Sequence, residues 1–210
     1  MGRPKTKPGA DWRDGFLFLG NQLALDFLNT RPVLDSEPVE LLADFGALLR
    51  WFRAADLISP AEATNLERQW GDSGRAERAL QDIRELRERL RKEVITWERG
   101  DAIHPTTVDT LNRLMAEHAM LTRLKAAGRE SSTELYFAPR QPEDLLAPLA
   151  HSAATLFARV EHTRIRKCAQ CVLHFLDTSK KGTRRWCSMQ LCGNRHKVAA
   201  YAARQRTRLE

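Results

Sequence analysis

Apolar residues along most of this chain recur at the spacing of a helix face. Val39, Leu42, Phe45, Leu48, Leu49 and Phe52 fall on one stripe and predict a helix over 38–55. Before it, Leu23, Leu25, Phe27 and Leu28 predict a short, strongly apolar helix over 21–29, entered from the strand-like run 16–20. Ser59-Pro60-Ala61-Glu62 carries a complete helix start: a capping hydroxyl, a proline tolerated in the first turn, and a glutamate that can reach back to the cap. Leu80, Ile83, Leu86, Leu90, Val94 and Trp97 predict a long helix over 72–99. Glu85/Arg89 and Glu88/Lys92 lie four apart on its other side, which reads as a solvated charged face. Further helices are predicted over 106–120 and over 142–162, the latter turning Leu145, Leu149, Ala153, Leu156, Phe157 and Val160 inward.

The pattern changes twice. Residues 121–139 alternate, with Gly128 in a polar turn, and predict a β-hairpin joined by the strand near Phe16. Near the C-terminus, Leu173, Phe175 and Leu176 predict one strand and 184–187 another, with Lys180-Lys181-Gly182 as the turn. The fold class is therefore mainly α with small β-hairpins (α+β). A loose basic arm over 1–15 precedes a helical body over 16–162. A treble-clef-like hairpin and helix over 163–210 follows. No run approaches the ~20 apolar residues of a membrane span. The first residues are basic and polar, without the apolar centre of a secretory signal, so a cytoplasmic protein is expected.

Charge sharpens this division. The net charge of +7 is unevenly placed. Residues 162–210 hold twelve Lys/Arg and two Asp/Glu, a balance of +10; the rest holds twenty-two and twenty-five, a balance of −3. A basic end on a mildly acidic body is the footprint of a partner such as a phosphate polymer.

All four cysteines lie in that basic end, as Cys168, Cys171, Cys187 and Cys192, in the pattern C-x2-C-x15-C-x4-C. Four thiolates match the tetrahedral preference of Zn²⁺. Two disulfides or a redox-active C-x2-C are the alternatives, and His174 and His196 are possible substitute ligands. A closed four-cysteine site leaves no position for a catalytic water, so one structural zinc ion is the expectation.

Two segments carry a family likeness. Cys192-Gly193-Asn194-Arg195 resembles the signature of the bacterial CGNR zinc finger. The run "FLFLGNQLALDFLNT" over 16–30 resembles the opening of ABATE, the domain that precedes this finger in that family. The resemblance implies a stress-induced transcription regulator that binds DNA through the finger.

The residues supply the contacts such a role needs. Lys180, Lys181, Arg184 and Arg185 surround the turn of the module, and Arg195, Lys197, Arg204 and Arg206 lie on a helix predicted from Cys192 onward. Arg195 has a structural alternative, capping a carbonyl or pairing with Asp177. Val198 and Tyr201 would pack on the finger. In the body, Asn21, Asp26, Asn29 and Arg31 are either hydrogen-bonded structural residues or the polar lining of a small-molecule pocket. Gly-rich phosphate loops, G-x-S-x-G and H-E-x-x-H are absent from the sequence, which argues against an enzyme. A single finger covers little DNA, so a homodimer or a second contact is expected. An acidic protein or RNA would meet the same charges, and these partners are the alternative to DNA.

Overall fold

The computed structural model describes residues 12–34, 37–128, 130–194 and 198. The chain opens with a tight hairpin, β1 (Trp12–Arg13) against β2 (Phe16–Leu17). Paired structure thus begins inside the segment that the sequence presents as a loose arm. Asp14 and Gly15 turn it, both with positive φ.

Helix α1 (Leu23–Leu28) follows, capped by the Gln22 side chain, which accepts from the Ala24 amide at 2.6 Å. A small antiparallel pair, β3 (Val33–Leu34) and β4 (Glu37–Pro38), leads to α2 (Phe45–Ala54). The predicted helix over 38–55 is therefore shorter at its front. Pro38 belongs to a strand, and the Asp44 carboxylate, accepting from the Ala47 amide at 2.6 Å, starts the helix. Val39 and Leu42 keep the apolar spacing without the helical backbone. Helix α3 (Pro60–Trp70) begins with the predicted reciprocal cap between Ser59 and Glu62. Ser73 caps the long α4 (Gly74–Trp97), and Pro105 opens α5 (Pro105–Glu117).

A hairpin then projects, β5 (Leu121–Ala127) with β6 (Glu130–Tyr136). It is a two-stranded sheet of its own; β2 pairs with β1 and does not join it. A 3-10 turn over Pro142–Leu145 feeds α6 (Leu146–Arg159), so the predicted helix over 142–162 divides at its start and stops early. The last hairpin is β7 (Ile165–Lys167) against β8 (His174–Leu176).

The helices enclose one apolar core. Leu25, Phe27 and Leu28 of α1, Leu48, Trp51 and Phe52 of α2, Leu80 and Ile83 of α4, and Leu149 and Ala153 of α6 all lie in it. Trp51 sits at the centre of an aromatic group with Phe18, Phe27 and Phe52 at centroid separations of 5.5–6.1 Å. On helix α4, Glu85, Arg89 and Lys92 are exposed, in keeping with a solvated charged face, but the helix also buries two charged residues outside the Glu85/Arg89 and Glu88/Lys92 pairs. Arg87 is 1 % exposed. Its guanidinium grips the Glu40 carboxylate with both terminal nitrogens, donates to Thr30 Oγ1 at 3.0 Å and reaches Glu88 through Nε. Glu93 is buried too, accepting from Thr107 Oγ1 at 2.5 Å and from the His104 amide at 2.8 Å, which ties α4 to the start of α5. Buried polar and charged groups persist only when they find partners: Arg87 is ion-paired and hydrogen-bonded, and Glu93 is held by two hydrogen bonds.

Candidate metal centre and nucleic-acid interface

Local backbone geometry brings the four cysteines together. Cys168 leaves β7, and its amide donates to the Leu173 carbonyl at 2.9 Å, closing a knuckle that contains Cys171. The chain then runs through β8 to a turn in which Gly182 holds φ +62, a conformation that costs glycine little. Gly182 donates to the Ser179 carbonyl at 3.2 Å. The expected turn is present, but the strand pairing is different. β8 pairs with β7, and the 184–187 segment is not a strand. It returns to the knuckle through a single backbone bond, Ala169 amide to Arg185 carbonyl at 3.0 Å. Asp177, 1 % exposed, shapes this return by accepting from the Ser179 and Arg184 amides at 2.9 and 2.8 Å.

The second pair sits on a wide helical turn, Met189–Gly193. Ser188 caps it, accepting from the Gln190 and Leu191 amides at 3.1 and 3.3 Å. Gly193 does not supply a left-handed bend, since its backbone lies outside that region. What it provides is space, because a Cβ there would meet Met189 Sδ at 2.6 Å.

The four sulfurs of Cys168, Cys171, Cys187 and Cys192 all lie within 4.8 Å of one another. Cys171 and Cys187 are 3.6 Å apart, as are Cys187 and Cys192. A disulfide needs about 2.05 Å. Four sulfurs tetrahedral about zinc at about 2.3 Å stand roughly 3.8 Å apart. The donor set therefore fits one Zn²⁺ ion and fits a disulfide poorly. Sulfur hydrogen bonds from the other three cysteines pull the Cys168 thiol far down and push Cys187 far up. A divalent ion resolves this competition by holding the four as thiolates. His174 stands apart from the four. Its ring is buried, with Nε2 3.8 Å from a Glu98 carboxylate oxygen, and desolvation lowers its pKa to about 4, helped by Arg91 and Lys167.

The apolar residues around the sulfurs come from both ends of the chain. Leu173 and Phe175 pack with the cysteines, but so do Leu17, Leu19 and Trp12. The body also clamps β8 along the edge that β7 leaves open. Asn29, fully buried, donates Nδ2 to the His174 carbonyl at 2.9 Å and accepts from the His174 amide at 3.0 Å. The Leu176 amide donates to the Gly20 carbonyl at 2.8 Å, and Asn21 Nδ2 donates to the Leu176 carbonyl at 3.0 Å. Asp26 holds Gly20 in place, accepting from its amide at 2.7 Å. A Cβ on Gly20 would meet Leu25 Cβ at 2.7 Å and the Asp26 amide nitrogen at 2.8 Å, so only glycine fits this approach. At the other strand, the Glu98 carboxylate accepts from the Lys167 amide at 3.1 Å.

These contacts correct the pocket reading. Asn21 and Asn29 dock the zinc hairpin, and Asp26 holds Gly20 for the same contact. Arg31 lies elsewhere, 3.5 Å from Glu88, on the rim of an open groove of about 920 Å³ along α4. Their sequence neighbourhood suggests a ligand because the group that Asn29 pairs with lies 145 positions away.

The basic residues also divide. Lys180, Lys181 and Arg185 are exposed, and Arg185 lies over the Trp186 ring at 5.4 Å. Arg184 turns inward. Its guanidinium stacks over Phe175 at 4.6 Å, and it donates to the Trp186 and Cys187 carbonyls. These contacts give it a structural role in the metal loop. Arg166 and Lys167 on β7 are exposed and join the basic surface; the run "RIRKC" before the first cysteine is the sequence signal for them. Val198 is 68 % exposed and does not pack on the finger. Arg195, Lys197, Arg204 and Arg206, together with His196 and Tyr201, lie outside the described residues.

A helical body clamped to a four-cysteine zinc hairpin defines a zinc-finger protein in which the finger is docked on the body. Residues 21–159 match the ABATE family, described as "Putative stress-induced transcription regulator", and residues 164–205 match the CGNR zinc finger. The chain belongs to the ABATE family, and its finger is of the CGNR type. No curated protein matches the sequence. Hairpin β1–β2 precedes both matched segments, although its Trp12 and Leu17 cover the metal site.

Proposed function

We propose that this protein is a cytoplasmic bacterial transcription regulator whose zinc hairpin binds DNA through phosphate contacts. The observation that carries this reading is a charge asymmetry. Between 163 and 194 the sequence has seven Arg/Lys and one acid, and that acid, Asp177, is buried and consumed by backbone amides. Nothing negative on this part of the module offsets Lys167, Lys180, Lys181 and Arg185. Such a surface attracts a polyanion by counterion release. Arg195, Lys197, Arg204 and Arg206 extend the same charge along the sequence and are included in the proposed surface.

The family description supports the regulatory part of this reading. A small-molecule effector would have to enter somewhere other than the clamp, and the groove beside α4, with Arg31 and Arg84 on its walls, is the place proposed for it. No catalytic role is proposed.

The test is fluorescence anisotropy of zinc-loaded protein on mixed-sequence duplex DNA, titrated with salt. Replacing Lys180, Lys181 and Arg185 together by alanine should weaken binding across sequences. It should also reduce the salt slope by about 0.9 for each phosphate that is no longer neutralised. Unchanged affinity at every salt concentration overturns the assignment. Tighter binding to an acidic polypeptide or to RNA than to duplex DNA turns the reading to those partners.

A further inference from the structure

The projecting hairpin holds the longest strand pairing among the described residues, seven residues in each strand. Among the described residues, neither outer edge pairs with another strand, and no backbone bond from elsewhere reaches either edge. Its register sorts the side chains by charge. Arg123, Lys125 and Glu134 share one face with Leu121, Ser132 and Tyr136. The opposite face carries Thr122, Leu124 and Ala126 against Leu135, Thr133 and Ser131, with no charge at all. On that face Leu124 is 71 % exposed and Leu135 is 52 % exposed. An isolated two-stranded hairpin is marginal in water, and an uncovered edge bearing apolar side chains invites another strand.

We propose that the outer edge of β6 pairs with β6 of a second copy about a twofold axis, joining two hairpins into a four-stranded antiparallel sheet. Charge selects both the strand and the register. In a symmetric antiparallel pair, residues that face each other project from the same side of the sheet, so the axis runs between one residue and its own copy, and that residue defines the register. On β5, an axis at Arg123 or at Lys125 sets that cation against its own copy. An axis at Leu124 sets Arg123 against Lys125. Every register near the middle of β5 therefore opposes like charges, which destabilises a strand pair.

On β6, an axis at Glu134 sets that carboxylate against itself, and an axis at Ser132 sets it against position 130, a glutamate in the sequence. An axis at Thr133 avoids both. Glu134 then faces Ser132, and Leu135 faces Ser131. Registers centred nearer either end of β6 pair far less of the strand. The register that sets no like charges directly opposite each other is thus also the one that pairs the most of the strand. An edge contact of this kind falls below the ~1,200 Å² of a standard stable interface, so the dimer is reversible and depends on concentration. It sets two zinc hairpins in one particle, and its formation requires no nucleic acid.

Sedimentation velocity of the zinc-loaded full chain, without DNA, tests this. The wild type should pass from monomer to dimer with rising concentration. Thr133→Lys and Thr133→Asp each place like charges on the axis and should weaken the dimer by about tenfold or more. Their mixture should associate again, because the two charges are then opposite. Thr122→Lys, on the same face but on β5, should leave the dimer intact. Circular dichroism checks that each exposed substitution leaves the fold unchanged. A wild type that stays monomeric at every concentration overturns the proposal. So does a dimer indifferent to both Thr133 variants, a mixture that fails to recover, or a dimer abolished by Thr122→Lys.

Discussion

The molecule holds two hairpins of opposite character. β7–β8 has three residues in each strand, and β5–β6 has seven. By length alone the second should be the better ordered. Yet the short one is held from several sides, although Arg166 and Lys167 face outward: cysteines at its knuckle, Leu17 and Leu19 over its apolar residues, Asn29 and Gly20 along the edge of β8. The long one has open edges and exposed side chains along both strands. The contrast teaches that a strand is held by what satisfies its outer amides and covers its faces, and only secondarily by its own ladder. Breaking the enclosure of the first hairpin should be costly, while leaving the second as it is.

Metal removal is the most severe way to break it. Binding of structural zinc by small modules is worth on the order of 10 kcal/mol, and that free energy is folding free energy. Chelation, or Cys192→Ala, should therefore unfold β7–β8. Because Trp12, Leu17 and Leu19 pack on the sulfur cluster, β1–β2 should lose protection with it. The core of α2, α4 and α6 should stay protected, since its residues pack on one another. Hydrogen exchange read by segment checks this. Protection of 12–20 that survives chelation would show that the N-terminal hairpin does not depend on the metal.

The next break is at the clamp. Asn29→Ala leaves the His174 amide and carbonyl buried without partners. Each such group costs about 1–3 kcal/mol, so a destabilisation of about 3 kcal/mol is expected. Denaturant unfolding of the zinc-loaded protein measures it. Exchange of the β8 amides should rise in the native state more than exchange in α2. An effect near zero would mean that the finger is held by zinc and apolar contact alone.

Asn29 also shows what is legible in the sequence. The helices are, because their signal is a local period and their caps lie within four residues, as at Ser59 and Glu62. The zinc ligands are, because tetrahedral thiolate chemistry needs four cysteines and the chain has four. Local reading fails where a partner is distant. Asn29 and His174 are 145 positions apart, and Arg87 and Glu40 are 47 apart. A polar residue in an apolar helix announces that a partner exists but does not say which. Asn21, Asp26 and Asn29 therefore resemble ligand contacts, and Arg87 looks like one more solvated charge, until the fold supplies their partners. The β7–β8 pairing is hidden for a related reason: the partner of β8 lies before the knuckle, in a run whose charges mask its strand character.

The smallest effect concerns Asp26, one step behind the clamp. Burial raises its pKa from 3.8 to about 6, against hydrogen bonds from the Gly20 and Leu19 amides and the charge of Arg13, which lower it. A carboxyl whose folded pKa lies above its unfolded value binds its proton more tightly in the folded state. Its contribution to stability is therefore greatest at low pH and is lost as pH rises from about 4 to about 6. Asp26→Asn removes this titration while keeping an oxygen that can accept from Gly20. Acid also weakens the zinc site by protonating thiolates, so the wild-type profile alone mixes two effects. The difference between the two proteins separates them, because both carry the same cysteines. The asparagine variant should gain on the wild type by about 1 kcal/mol between pH 5 and pH 7. Denaturant unfolding of both zinc-loaded proteins at the two pH values measures this gain. An equal difference at both would place the titration of Asp26 outside that window, and Gly20 would then be held by a carboxylate that stays charged throughout.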